Sequence, residues 1–176
     1  SHVTGEYPAK DGKAAPYSAR NARHLLWVHC AFTDSFLRAQ IELGYPIALG
    51  ADRYVQEWAK SAVPLGLNNA PQSALELQEA IAGFVVNEVE AIAMTPPIVK
   101  FILKPPFSKG GLFFYRILAN AAIATIDEPF LTVLGLKKRS KIWLRVSRKL
   151  LDFLSYMLGH ESPSQKIARA RIQALQ

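Results

Sequence analysis

The positions of proline and glycine constrain this chain most, because each breaks a helix that the residues around it favour. Between these breaks, apolar residues recur at helical spacing. From about Asn21 to Leu43 the residues Leu25, Leu26, Val28, Phe32, Phe36 and Leu37 return at steps of three and four, until "GYP" at Gly44 to Pro46 stops the run. A shorter helix is expected over Asp52 to Leu65. A third begins at Ser73, an N-cap candidate with Glu76 three residues on, and reaches about Ala93 before Pro96 and Pro97. The stretch "PPIVKFILKPPF" reads as a short helix held between two proline pairs. Helices follow near Leu112 to Ile126 and Lys141 to Leu158, with an amphipathic tail after Pro163. Residues 1–19, rich in Gly, Pro, Lys and Asp without a helical period, read as a surface loop. No alternating β-branched run and no repeat of fixed period occurs. The expected class is therefore all-α: a single multi-helix domain of about six or seven helices, with residues 1–19 as loop and residues 20–176 as helices.

Composition supports a packed core. Half of the 176 residues are apolar and 20% are charged, which excludes a disordered tail or a collagen-like repeat. The one cysteine, Cys30, excludes an internal disulfide, and no Cys/His spacing resembles a zinc site. The longest apolar stretch, Gly111 to Ile126, carries Arg116 and falls short of the roughly 20 residues a membrane span needs. The first ten residues lack the apolar region of a signal peptide. The chain has no initiator Met and starts within a motif, so it reads as N-terminally incomplete.

The net charge of +7 fits nucleic acid, an acidic membrane surface or an anionic substrate equally well. Its distribution is uneven: between Lys137 and Arg171 ten Lys and Arg stand against two acids. Arg145, Arg148, Lys149 and Asp152 form a polar face opposite Leu144, Leu151, Phe153 and Leu154. Such a helix is either a solvated face or one that lies on an anionic membrane surface. No recognition motif for nucleic acid accompanies the charge, so no nucleic-acid partner is expected.

Two histidines on the first long helix raise the question of chemistry. Leu25, His29, Phe32 and Phe36 share one stripe, so His29 is expected to point inward. His24 lies about 140° round the helix at roughly 100° per residue, and the two do not form a ligand pair. Helical geometry alone leaves His29 either a hydrogen-bonded core histidine or a metal or haem ligand. Trp27 and Cys30 read as core. Asp34 with Arg38, and Arg53 with Glu57 and Lys60, read as solvated ion pairs. Glu88 and Glu90, two apart on an expected helix, would diverge and make no acid–base dyad. No nucleophile–base pair and no Gly-rich phosphate loop appears.

The segment "PYSARNARHLLWVHCAFTDSFLRA" (Pro16 to Ala39) resembles the family that includes the MpaB-type oxygenase of mycophenolic acid biosynthesis and the latex-clearing proteins (rubber oxygenases). It carries that family's Tyr, Ala and Trp-Val-His pattern as Tyr17, Ala19 and Trp27-Val28-His29. "ADRYVQEWAKSAVPLGL" and "MTPPIVKFILKPPF" are also similar, and "SHVTG" looks like the remnant of an upstream family element. His2 in that remnant precedes His29 by 27 positions, a separation similar to that of the family's haem-facing positions. The resemblance implies a haem b protein that uses O2 to cleave a C=C bond in a lipophilic, isoprenoid-type substrate. It makes His29 the proximal iron ligand and puts His2 at or near the other axial position, with Phe32, Thr33 and Phe36 lining the pocket. Thr33 has a second reading, a hydroxyl bonded back to the preceding helical turn. The rival function is a non-catalytic helical module that docks on a membrane or partner through the basic helix. The sequence does not fix a location in the cell; the expectation is an intracellular protein, peripheral to a membrane if the basic helix lies on one.

Overall fold

The computed structural model describes residues 3–8, 13–159 and 163–174. Among them an N-terminal hairpin precedes eight helices. Strands β1 (Thr4–Pro8) and β2 (Ala14–Ser18) pair antiparallel, with Gly5 opposite Tyr17 and Tyr7 opposite Ala15. The helices are α1 (Ala22–Leu43), α2 (Gly50–Ala59), α3 (Ala74–Asn87), α4 (Thr95–Leu103), α5 (Lys109–Thr125), α6 (Glu128–Leu134), α7 (Ile142–Leu158) and α8 (Pro163–Gln173). The class is all-α as expected; α2 and α3 end earlier than expected, at Ala59 instead of Leu65 and at Asn87 instead of about Ala93, and two elements differ in kind.

The first difference is the hairpin, which replaces the expected loop. It escapes the period-2 test because the residues of both strands stand largely exposed, so no apolar face has to alternate with a polar one. Pro8 and Pro16 are tolerated since a two-stranded ribbon consists of edges, where a missing N–H costs nothing if it faces outward. The second difference is α6. Its signals were present in the sequence: Asp127 before the helix, Pro129 in its first turn and Gly135 as a left-handed C-cap at φ 63°. At seven residues it is too short to show a period.

Helix α1 is the axis of the molecule, in contact with α2, α3, α5 and α7. Its N-cap is Asn21, whose side chain accepts from the N–H groups of Arg23 and His24 at 2.9 and 3.3 Å. At its other end Gly44 (φ 73°) and Tyr45 donate to the carbonyls of Ile41 and Gln40, a Schellman termination. One core joins Leu26, Cys30 and Leu37 of α1 to Val55 and Ala59 of α2 and to Leu77 and Phe84 of α3. A second joins Ala121 and Ala124 of α5 to Leu144 of α7, where the alanines let the two helices approach closely.

Arg148 ties α7 to the end of α1. Its Nη1 donates to the Leu43 carbonyl at 2.6 Å, its Nε to Asp152 at 3.1 Å, and its guanidinium lies 4.1 Å from the Tyr45 ring centre. It satisfies the Leu43 carbonyl at a helix C-terminus, where a cation is favoured. This corrects the basic face expected for a membrane: Arg148 is half-buried and engaged, while Arg145 and Lys149 are exposed. Among the described residues no helix is long and apolar enough to cross a membrane.

Candidate functional site

The buried face of α1 is formed by Leu26, His29, Cys30, Thr33 and Leu37. His29 is 6% exposed, and the Thr33 hydroxyl, wholly buried, donates to its carbonyl at 2.7 Å. Thr33 therefore makes the back-bond to the preceding turn and presents no hydroxyl to a pocket. The expected stripe of Leu25, His29, Phe32 and Phe36 is split. Phe32 and Phe36 are 53% and 48% exposed, because the packing neighbours of α1 gather around Leu26, Thr33 and Leu37 and leave His29 at the border. Phe32 stacks on Phe36 (centroids 5.9 Å apart), and Phe36 stacks on Trp58 of α2 (5.5 Å). An imidazole at the edge of the core thus adjoins an open aromatic surface.

Burial pushes the His29 pKa below its ordinary value of 6.5, so the ring is neutral at pH 7. Among the described residues nothing hydrogen-bonds to that ring. A neutral imidazole with an uncommitted lone pair, next to flat apolar side chains, is the donor set that suits a haem, which brings its own ring nitrogens. Among the described residues no group of three His, Cys, Asp or Glu could hold a metal ion. His2, the other expected axial residue, lies outside the described residues. Cys30, beside His29 in sequence, is fully buried and its thiol is pushed up to about 11, which keeps it protonated and inert.

His24 turns away from His29, as its spacing predicts, and lines a cleft of about 770 Å³ between the hairpin, α1 and the end of α3. Tyr7 and Tyr17 are diagonal neighbours on one face of the hairpin. Tyr17 stacks on His24 (5.7 Å, 15°) and Tyr7 meets it edge-on (6.3 Å, 73°). Nδ1 of His24 is buried without a hydrogen-bond partner among the described residues. Such an orphan costs about 1–3 kcal/mol. Trp27 stands at the cleft wall, half-buried against Phe84 of α3 (5.1 Å) and Phe130 of α6 (6.2 Å), consistent with its reading as core.

The acidic side of this cleft was misjudged from sequence. Helix α3 ends at Asn87 instead of near Ala93, so Glu88 and Glu90 lie beyond it and both line the cleft. Their divergence on a helix does not apply. Arg23 binds Oε1 of Glu88 through Nε (2.7 Å) and Nη2 (2.5 Å), with its guanidinium 4.0 Å from the Phe84 ring centre. The end of α3 has no Gly or Pro to mark it, and the partners of Tyr7 and Arg23 are distant in sequence.

Residues 1–156 match the family model described as ER-bound oxygenase mpaB/B'/rubber oxygenase, catalytic domain. No curated protein and no solved structure matches the chain.

Proposed function

Since this chain belongs to the mpaB/rubber oxygenase catalytic-domain family, we propose that it is a haem b-dependent oxygenase acting with O2 on a C=C bond of a lipophilic, isoprenoid-type substrate. The observation that carries the reading is the His29 imidazole: buried, neutral, free of protein hydrogen bonds among the described residues, and bordered by open aromatic side chains. A bound haem iron supplies the activation of dioxygen. The protein's share is to hold, orient and dry the site. His29 would be the residue that holds the iron, with His2 as the second candidate histidine. Phe32 and Phe36 would wall the macrocycle and receive an apolar chain, while the Thr33 hydroxyl is taken up by its bond back to the His29 carbonyl.

Loss of haem on substitution is the direct test. His29→Ala should abolish the Soret band of hemin-reconstituted protein, whereas His24→Ala should retain it. Equal retention by both variants would return His29 to a purely structural role.

A membrane-facing surface is a second part of this reading. On α7 the exposed Arg145, Lys149, Phe153 and Tyr156 follow at steps of four, four and three, so basic and aromatic side chains share one outward face. The sequence had Phe153 opposite the basic residues, whereas the packing of Leu144 and Ser147 turns it outward with them. This pattern suits an interface between headgroups and acyl chains, and the family's description as ER-bound agrees with it. A lipophilic substrate would be met there.

A further inference from the structure

The cleft around His24 is not used by the haem reading, and one of its polar atoms, Nδ1 of His24, is buried without a partner among the described residues. We propose that it anchors the hydroxyl of an amphipathic, uncharged substrate of the long-chain alcohol type, whose tail lies along Val28, Phe32 and Phe36; the identification of that ligand as substrate rests on the oxygenase reading. Nδ1 of His24 is buried with no partner among the described residues, and the exposed Asn87 and Glu88 each offer an oxygen to the cleft: Oδ1 of Asn87, whose Nδ2 donates to Gly83, and Oε2 of Glu88, whose Oε1 takes both contacts from Arg23. Asn87 and Glu88 supply acceptors and the imidazole supplies either a donor or an acceptor, so a hydroxyl, which both donates and accepts, serves them together. Arg23 already compensates Glu88, so a cation gains little, and an anion meets carboxylates.

The apolar part of the ligand is defined by continuity. Val28 lines the cleft and is 46% exposed, and Phe32 and Phe36 continue its row at steps of four along α1. At 1.5 Å per residue the row runs about 12 Å from the cleft. It passes beside His29, so a molecule anchored by its head at His24 would present an interior carbon to the site assigned to the iron.

The test uses the full chain without added metal, titrated with dodecan-1-ol, dodecane, dodecanoate and dodecylamine, with tryptophan fluorescence as readout because Trp27 stands at the cleft wall. The alcohol should bind about tenfold more tightly than the other three. His24→Phe keeps an aromatic ring against the two tyrosines and removes the nitrogens; with Asn87→Leu as a separate variant, each should lower alcohol affinity about five- to tenfold and leave dodecane unchanged. Equal affinity for alcohol and alkane, preference for the amine or the carboxylate, or no effect of either variant would overturn the proposal. If circular dichroism shows His24→Phe misfolded, Asn87→Leu alone decides. Head-group selectivity is read on the metal-free chain and haem retention on hemin-reconstituted protein, so failure of one reading is distinguishable from failure of the other.

Discussion

At the scale of single residues, the two histidines of α1 are put to different uses by their surroundings. His29 is desolvated, and its pKa in the fold lies below the 6.5 of a free imidazole. As pH falls, the unfolded chain therefore takes up this proton first, so stability is lost from about pH 6.5 downward until the folded pKa is reached. Melting temperature of the metal-free chain should drop between about pH 7.5 and pH 5.5, and His29→Leu should flatten part of that drop. An unchanged pH slope in the variant would show that the imidazole titrates as freely in the fold as out of it. Cys30, with its thiol raised to about 11, should stay unreactive toward alkylating reagents while the fold is intact.

At the scale of elements, the end of α1 depends on one glycine and one arginine. Gly44 adopts φ 73°, and a Cβ there would come within 3.1 Å of Arg148 Nη1. Gly44→Ala thus meets left-handed backbone strain of about 1–2 kcal/mol and also crowds the guanidinium that donates to Leu43. Denaturant unfolding should show a loss of at least about 1 kcal/mol. A neutral result would mean that the junction of α1 and α7 relaxes without cost. Part of this was legible: "GYP" marks the stop, and the apolar period begins close to Asn21, which the structure shows capping the helix. The role of Arg148 was not, since its partners at the end of α1, Leu43 and Tyr45, lie more than a hundred residues away and only packing brings them together.

At the scale of the whole molecule, the charge of +7 acts through its position. Each basic residue near an anionic leaflet contributes about 1 kcal/mol and is screened within a Debye length. With Arg148 engaged at the helix junction, the test leaves it intact: the double variant Arg145→Glu, Lys149→Glu should release the protein from phosphatidylserine vesicles at low salt and leave its circular dichroism unchanged. If the parent protein ignores such vesicles at low salt, the outward face of α7 is solvated surface and no more.

The sequence by itself determined the helical class, most helix ends and the inward turn of His29, because period, caps and proline breaks act within a few residues of one another. It also carried the Trp27-Val28-His29 motif that points to the family. Tertiary structure alone decided which part of the apolar stripe is covered: Phe32 and Phe36 share their spacing with buried residues yet remain open, for burial depends on where α2, α3 and α7 come to rest. It alone paired the two N-terminal strands, whose stability lies in backbone hydrogen bonds and not in side-chain alternation. It alone brought Tyr7, His24 and Glu88 to one cleft, because contacts between segments so far apart in the chain leave no local pattern to read.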